Sequence, residues 1–206
     1  ISAYSLIIEE VTPFWNRFGE GACACDYTGP ALPDEDTENK IYRFTRKFLQ
    51  EQGFERYEIS NYANPGKECR HNIGYWTEVA YLGLGLGASS YMEGCRFTNE
   101  KDLDKYLALD FGEEDPEKRE TALRKIEELS QAQRMEEFMF LGLRMLKGVS
   151  DVDFVRLFGV KMETVYGDVI RRLTANGLLK KEENNLALTE WGMDVSNFVL
   201  SEFLLG

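Results

Sequence analysis

The sequence predicts a mixed fold, α/β in class or α+β if the chain is a fragment, and a few patterns along the chain support this. An apolar, β-rich run extends from Ile1 to Glu9. A helical pattern beginning at Asp34 follows it, and then a short strand pattern from Phe54 to Ile59. Strand, helix, strand is the order expected of a layered or barrel α/β fold. The last part of the chain instead alternates helices with one strand pair, which indicates a second domain.

The elements of the first part are predicted from apolar spacing and from turn residues. The run from Ile1 to Glu9 lacks strict alternation, which is typical of a strand buried on both faces. Phe14 to Pro33 is rich in glycine and proline and is predicted to be a long irregular loop. Asp34 is the expected N-cap of the next helix and Gly53 its terminator. Apolar residues at helical spacing predict that this helix packs on a sheet; they are Ile41, Phe44, Phe48 and Leu49.

The middle of the chain is predicted to be built from short elements. Asn64-Pro65-Gly66 is a turn sequence. Tyr81 to Gly85 has the composition of a buried strand. Gly87 to Tyr91 and Cys95 to Thr98 are expected to form a hairpin, joined at Glu93-Gly94. Lys101 to Leu109 is predicted to be a short helix.

The acidic segment from Asp110 to Glu120 is the predicted boundary between two domains, residues 1–115 and residues 116–206. Beyond it, helices, a two-stranded wing and a closing helix form a winged-helix-like pattern. Ser150 and Thr189 are the expected caps of two of these helices. The predicted elements are helices over Gln131 to Leu146, Asp151 to Phe158, Lys161 to Asn176 and Glu190 to Leu204, and wing strands over Leu178 to Lys181 and Asn185 to Leu188.

Charge and composition restrict the possible functions. The 206 residues carry a net charge of -12, which argues against nonspecific nucleic-acid binding. The helix of the wing module that would enter DNA has balanced charge, so no nucleic-acid partner is expected. There is no apolar run of about 18 residues and no signal-peptide pattern, so a cytoplasmic protein without a membrane span is predicted. Because the chain opens without Met inside a strand-like run, we expect a fragment whose N-terminal part has been removed.

The cysteines predict neither a disulfide framework nor a strong metal site. They are Cys23, Cys25, Cys69 and Cys95, and the protein has a single histidine. The spacing of Cys23 and Cys25 is too tight for an ordinary zinc knuckle. Free thiols in a reducing compartment are the favoured interpretation.

The segment from Tyr57 to Tyr91 concentrates the side chains that suit ligand binding. It contains His71, many aromatic residues and the densest glycine run of the chain. Such a polar, aromatic and glycine-bearing segment is predicted to do more than pack.

Several segments resemble a known family in their order and spacing. They are ISAYSLIIEEVTPF, YEISNYANPGKECRHNIGYW, YLGLGLGASSY, MFLGLRMLKGVS and LALTEWGMDVSN. Together they resemble the C-terminal half of the oxygen-independent coproporphyrinogen III oxidase-like radical SAM proteins, and above all the HemW-type branch, regarded as haem chaperones. The most specific marker is H-N-x-x-Y-W, formed by His71, Asn72, Tyr75 and Trp76.

The resemblance implies the end of a partial radical SAM (β/α)6 barrel followed by a winged-helix-like C-terminal domain. The family holds its [4Fe-4S] cluster on a C-x3-C-x2-C motif, and this chain has no such motif. Cys23 and Cys25 do not replace it, because their spacing is wrong and a third partner is missing. We therefore expect this chain alone neither to hold the cluster nor to cleave SAM, so that any enzymatic activity belongs to the intact protein.

The resemblance also implies a haem contact at the H-N-x-x-Y-W element. A neutral His71 imidazole would suit haem iron as an axial ligand, and Tyr75 and Trp76 would stack on or line a porphyrin. Arg70 would meet a propionate carboxylate, and Asn72 completes the motif. A hydrogen-bonded structural role for His71, and a catalytic role, are the alternatives.

A second set of residues is implied to face SAM. Ile7 would be a wall of the adenine pocket, and glycines would let backbone approach a flat ligand closely. This set consists of Ile7, Gly83, Gly85, Gly87, Ala88 and Ser89. The alternative for the glycines is that they only permit close strand packing.

Three functions follow as hypotheses. The first is a haem chaperone that binds haem and transfers it to acceptor proteins, with possible peripheral membrane association through those acceptors. The second is an oxygen-independent coproporphyrinogen III oxidase, with SAM and a [4Fe-4S] cluster in the full-length protein. The third is a noncatalytic interaction module. The H-N-x-x-Y-W element favours the chaperone.

Overall fold

A computed structural model of the protein describes residues 1–19, 29, 31–109 and 124–205. They form two compact units, Ile1–Glu68 and Cys69–Gly206. The domain boundary predicted between residues 115 and 116 lies outside the described residues, as do Cys23 and Cys25 and much of the predicted loop before Asp34.

The first unit is built around one long helix and a short hairpin. Its elements are α1 (Trp15–Phe18), α2 (Glu35–Glu51), β1 (Glu55–Arg56) and β2 (Tyr62–Ala63). The predicted cap of α2 is confirmed, because the Asp34 side chain accepts a hydrogen bond from the Thr37 backbone N–H at 2.8 Å. The predicted turn at Asn64-Pro65-Gly66 is confirmed as well: Lys67 N donates to Asn64 O at 2.9 Å and Gly66 has φ +74°.

The predicted strand from Ile1 to Glu9 is wrong over most of its length. Only Ser2 is bridged, in antiparallel fashion to Asn61, with Ala3 N donating to Ser60 O at 2.8 Å. An extended segment becomes a strand only where a neighbour satisfies its N–H and C=O groups. Among the described residues, such partners exist for the first three positions only.

Two further expectations for the first unit need correction. β1 pairs with β2 as an antiparallel hairpin, with Glu55 opposite Ala63, so the parallel strand-helix-strand order is not formed. α2 contacts β1, but of its predicted apolar positions only Leu49 is buried. Phe44 and Phe48 are exposed and stack on each other, with ring centroids 6.0 Å apart.

A buried polar network joins the N-terminal segment to the hairpin. Glu58 is fully buried, and its Oε1 accepts from Ser60 N at 2.7 Å and from Asn61 Nδ2 at 2.6 Å. Asn61 Oδ1 in turn accepts from the Ser2 hydroxyl, and Asn61 Nδ2 donates to the Tyr4 hydroxyl at 3.0 Å. Because buried polar groups are costly unless they are hydrogen-bonded, this network holds the first residues against the hairpin.

The second unit contains two antiparallel three-stranded sheets and most of the helices. Its first part comprises α3 (Arg70–Trp76), β3 (Ser89–Met92), β4 (Cys95–Asn99), α4 (Leu103–Leu107) and β5 (Arg124–Glu128), with the strands in the order β3-β4-β5. The predicted hairpin is confirmed, and Glu93 and Gly94 turn it with φ of 52° and 78°. Positive φ at both turn residues is the type I′ geometry that suits twisted strands.

The predicted strand from Tyr81 to Gly85 is wrong. Only Tyr81 is bridged, to Tyr91, and the following residues run outside the sheet. Leu82 and Leu84 are exposed rather than buried. β5 was not predicted, since its charged sequence RKIEE carries no apolar alternation and its pairing with β4 is a long-range contact.

The C-terminal elements follow the predicted order closely. They are α5 (Gln131–Gly142), β6 (Val149–Ser150), α6 (Asp151–Phe158), α7 (Met162–Ala175), β7 (Leu179–Glu182), β8 (Asn185–Leu188), α8 (Glu190–Asp194) and α9 (Ser196–Ser201). The Ser150 cap of α6 and the wing of β7 and β8 are confirmed. β6 adds an unpredicted third strand, paired with β8. The assignment of this part as a winged helix stays a prediction.

Two helix ends differ from prediction. α5 ends at Gly142 rather than near Leu146, and residues 143–148 form the turn that connects it to β6. A Cβ at Gly142 would collide with the Val149 side chain, so the end of α5 packs closely on β6. The predicted final helix is divided at Val195, whose φ of -118° and ψ of 33° are not helical.

The core of this part is apolar and aromatic. Its fully buried side chains include Met139, Leu143, Phe154, Leu173, Val199 and Phe203. Tyr166 packs edge-on against Phe203, with ring centroids 5.4 Å apart. Among the residues that the structure describes, no helix combines the length and the apolar character required to cross a membrane.

Candidate functional site

The helix α3 positions the predicted haem residues, and it divides them between two faces. On a helix, residues four apart lie on the same side. His71 therefore pairs with Tyr75, and Asn72 pairs with Trp76. The motif does not act as one surface, because its two pairs point in different directions.

The face of His71 and Tyr75 borders an open groove of about 580 Å³. Arg70, Val79 and Tyr81 also line this groove. Ligand sites commonly have volumes of about 300–1,000 Å³. The groove is therefore large enough for a flat organic ligand, and Arg70, His71 and Tyr75 all line it.

A chain of aromatic contacts sets the ring orientations along the groove. The His71 and Tyr75 ring centroids are 4.7 Å apart at 76°, and those of Tyr75 and Tyr81 are 4.8 Å apart at 82°. Edge-to-face packing of this kind is favourable for aromatic rings. The His71 side chain is exposed and makes no hydrogen bond to any other described residue. That observation favours a ligand-facing imidazole over a hydrogen-bonded structural one.

Trp76 and Asn72 do not line the groove. The guanidinium carbon of Arg144 lies 4.4 Å from the Trp76 ring centroid, a cation–π contact. The Trp76 Nε1 is buried and has no hydrogen-bond partner among the described atoms. Trp76 therefore packs α3 against the chain that follows α5, and it is not placed to stack on a ligand in the groove.

Just beyond α3, away from the groove, lies a group of charged residues that the sequence analysis did not identify. They are Glu78, Arg96, Arg134 and Glu137. Burial, with a smaller contribution from the charge of Glu137, raises the pKa of Glu78 to about 7, while Arg134 and Arg96 oppose that change. Arg96 forms an ion pair with Glu137 at 2.7 Å. The sequence offers no local signal for this group, because its members lie on different elements.

The predicted SAM-facing glycines have backbone roles within the second unit. A Cβ at Gly83 would collide with the Ser89 carbonyl oxygen, and Gly83 N donates to the Ser90 hydroxyl at 2.9 Å. Gly85 and Gly87 adopt positive φ, at 97° and 64°, conformations that other residues rarely adopt. These contacts favour the packing alternative for the glycines. Ala88 N donates to Gly85 O at 3.3 Å within the same turn.

Ile7, the remaining predicted SAM contact, belongs to the first unit and is 75% exposed. A cavity of about 250 Å³ in that unit is lined by its neighbours Leu6 and Ile8, but not by Ile7 itself. The described structure therefore gives Ile7 no enclosed ligand environment.

Metal clusters fit the described residues poorly. In the parts of the chain that the structure covers, no three His, Cys, Asp or Glu side chains come together as ligands would. Cys69 is exposed and Cys95 is half-buried, both as free thiols. A [4Fe-4S] cluster does not fit this donor set, whereas an exposed imidazole beside an aromatic groove does fit a haem ligand.

The chain is similar to several known proteins. Residues 129–195 match the family model of the HemN C-terminal domain. Heme chaperone HemW of Lactococcus lactis is 36% identical over 205 residues, which cover 100% of this chain and 50% of the relative. Heme chaperone HemW of Bacillus subtilis is 33% identical over 203 residues, covering 98% of this chain and 50% of the relative.

A solved structure shares the fold. Coproporphyrinogen III oxidase (HemN) from Escherichia coli, a radical SAM enzyme by its published description, superposes with a TM-score of 0.65 and 17% identity. The match covers 84% of this chain and 42% of that chain.

These matches first place the protein in a class: it has a mixed α+β fold similar to that of a radical SAM enzyme, and its residues 129–195 match the HemN C-terminal domain model. More particularly, the predicted resemblance to the HemW-type proteins is confirmed, since heme chaperones HemW match it along nearly its whole length. The chain spans about half the length of the curated relatives it matches.

Proposed function

We propose that this chain is part of a radical SAM haem chaperone and binds haem in the groove beside α3 for transfer to acceptor proteins. One observation carries the proposal: the exposed His71 imidazole stands at the edge of a groove of about 580 Å³ lined by tyrosine rings. The similarity to heme chaperones HemW supports it.

Each groove residue has a distinct role in this proposal. A ring nitrogen of His71 binds the haem iron as an axial ligand. Tyr75 and Tyr81 offer ring surface to the porphyrin, and their mutual edge contact keeps that surface in place. Arg70 pairs with a propionate, since guanidinium groups match carboxylates well. Asn72 and Trp76 support α3 from its other face rather than contacting haem.

The cofactors of the wider family enter the proposal at the level of the intact protein. There, SAM and a [4Fe-4S] cluster would be bound chiefly by residues outside this chain. Ile1–Glu68 would complete a partial (β/α)6 barrel. The segment from Gly83 to Ser89 would face SAM only if its backbone contacts left enough space for the ligand. We place the protein in the cytoplasm, with haem-acceptor proteins as partners.

Haem titration tests the proposal, with the Soret band as the readout. We expect His71→Ala to weaken haem binding by at least about tenfold, the loss of one favourable axial bond. Metal-free protoporphyrin IX should bind wild type and variant alike within about twofold, because it offers no iron to ligate.

Phe198→Ala is the matched control for nonspecific haem adsorption, since Phe198 is an exposed aromatic side chain outside the groove. It should leave both affinities unchanged. Equal haem binding by wild type and His71→Ala would rule out the axial ligand and with it the proposed site.

The oxidase alternative stays a prediction, because a likeness at 17% identity supports the fold alone. Anaerobic turnover by the intact protein, with reconstituted cluster and SAM, would test it through the appearance of vinyl product. The noncatalytic module, the third hypothesis, would be left if the protein bound neither haem nor SAM.

A further inference from the structure

The carboxyl end of α3 is closed by a Schellman turn that has an unusual residue at its key position. Val79 N donates to Gly74 O at 2.9 Å, and Glu78 N approaches Tyr75 O at 3.5 Å, which is the hydrogen-bond pattern of that turn. In this turn the residue that donates the second of these hydrogen bonds adopts the left-handed conformation, and it is normally glycine. Here that residue is Glu78, with φ 53°.

The side chain of Glu78 turns away from the groove. Its neighbours Thr77 and Val79 both line the groove, and Glu78 does not. Its Oε1 is buried and has no hydrogen-bond partner among the described atoms. A strained backbone that carries a buried, unpartnered carboxyl oxygen persists only where the surroundings favour it.

The groups facing Glu78 come from three elements. Glu137 and Arg134 lie on α5, Arg96 on β4 and Tyr91 on β3. Arg96 forms an ion pair with Glu137 at 2.7 Å. The guanidinium carbon of Arg134 lies 5.8 Å from the Phe158 ring centroid, and its buried Nε has no hydrogen-bond partner among the described atoms. Both arginines lower the pKa of Glu78, but burial and the charge of Glu137 outweigh them, so the site favours an uncharged Glu78.

We propose that Glu78 is the positioning residue of the α3 groove: as a neutral acid it keeps the Schellman turn closed, and when it loses its proton the turn opens and ligand binding weakens. This inference rests on the proposed function for its effect on haem, but its effect on the turn can be measured without haem.

The sign and size of the effect follow from linkage. The pKa of Glu78 is raised from 4.5 to about 7 when it is buried, so closing the turn takes up a proton. Closure is therefore favoured at low pH and is lost as pH rises through the buried pKa. Between pH 6 and pH 8 the closing equilibrium should fall about tenfold, and little further above that.

The first test is amide exchange in the protein without ligand. We expect the protection factor of the Val79 amide, corrected for intrinsic exchange, to fall about tenfold from pH 6 to pH 8. The Leu143 amide, bonded to Met139 O at 2.9 Å in α5, is the internal reference and should not change.

Two variants isolate the carboxyl group. Glu78→Gln keeps the shape and cannot ionise, and Glu78→Gly fits the left-handed backbone without strain. In both, protection of Val79 should become independent of pH. A pH-independent Val79 in wild type, or the same pH dependence in Glu78→Gln, would overturn the inference.

The second test is haem affinity over the same range. Wild type should bind more weakly at pH 8 than at pH 6, and Glu78→Gln should not. Glu78→Gln keeps every other titratable group of the wild type, so the difference between the two proteins isolates the effect of Glu78. If no haem binds at any pH, the proposed function fails while the exchange experiment still decides the role of Glu78.

Discussion

Replacing Trp76 with leucine separates the two faces of α3 and provides the most direct test of the geometry. Two contributions are lost in Trp76→Leu. The contact with the Arg144 guanidinium, at 4.4 Å, is worth about 0.5–2 kcal/mol. Replacing the half-buried Trp76 ring by the smaller leucine side chain should lower the free energy of unfolding by about 1–2 kcal/mol, roughly half the loss expected at a fully buried core position.

One term acts in the opposite direction. The indole Nε1 is buried without a hydrogen-bond partner among the described atoms. Removing it therefore stabilises the folded state by about 1 kcal/mol, because an unsatisfied buried donor is no longer desolvated. The net loss of unfolding free energy is therefore about 2 kcal/mol, which urea unfolding followed by circular dichroism would measure. Haem affinity should stay within about threefold of wild type, because the ring does not line the groove.

The comparison with His71→Ala makes the test decisive. That exposed residue should cost under about 0.5 kcal/mol of stability, while its haem affinity falls. A Trp76→Leu protein that keeps full stability but loses haem binding as His71→Ala does would show that Trp76 faces the ligand, and our division of α3 would be wrong. Combining Trp76→Leu with Arg144→Met should show a coupling of about 0.5–2 kcal/mol if the cation–π contact is real.

Two further predictions concern stability of the second unit. Gly148→Ala should lower the free energy of unfolding by about 3 kcal/mol, because Gly148 has φ +66° and a Cβ there would collide with the Leu186 carbonyl oxygen. The matched variant Gly159→Ala, at φ +73° with open space around it, should lower it by only about 1 kcal/mol. Equal losses of unfolding free energy in the two variants would contradict the packing argument. Thr189→Ala should lower the free energy of unfolding by about 1 kcal/mol, because the Thr189 hydroxyl accepts a hydrogen bond from Gly192 N at 3.0 Å and donates one to Gly177 O at 2.7 Å. Unchanged thermal stability of the variant would show that water replaces these hydrogen bonds.

The parts of the fold that the sequence predicted well are those decided by neighbouring residues. The caps at Asp34 and Ser150 depend on a side chain and a backbone N–H three residues on. The hairpin at Glu93-Gly94 depends on two residues that accept positive φ. Such short-range signals survive in any tertiary context, and each was confirmed.

The parts that failed depend on partners far along the chain. An apolar run becomes a strand only if another segment completes its hydrogen bonds, and composition cannot supply that information. Ile1 to Glu9 and Tyr81 to Gly85 were therefore predicted as strands and found largely unpaired. β5 is the opposite case: its charged sequence does not predict a strand, yet all five of its residues pair with β4.

The candidate site was predicted as a set of residues but not as a geometry. The H-N-x-x-Y-W spacing already implies that His71 and Tyr75 share one helix face and Trp76 another, once the segment is known to be helical. What no pattern reveals is that Glu78, just past the helix, is partly buried and within the electrostatic influence of Glu137. Burial of an acid is a property of the packed elements around it, not of its neighbours in sequence.

These features make α3 a short helix held from both sides. One side is anchored by Trp76 against Arg144, and the carboxyl end is closed around Glu78. A seven-residue helix is too short to be stable by itself, so the orientation of His71 depends on these contacts. Trp76→Leu should therefore lower the protection of the Val79 amide, whereas Glu78→Gln should only remove the pH dependence of that protection, and both effects should be measurable before any haem is added.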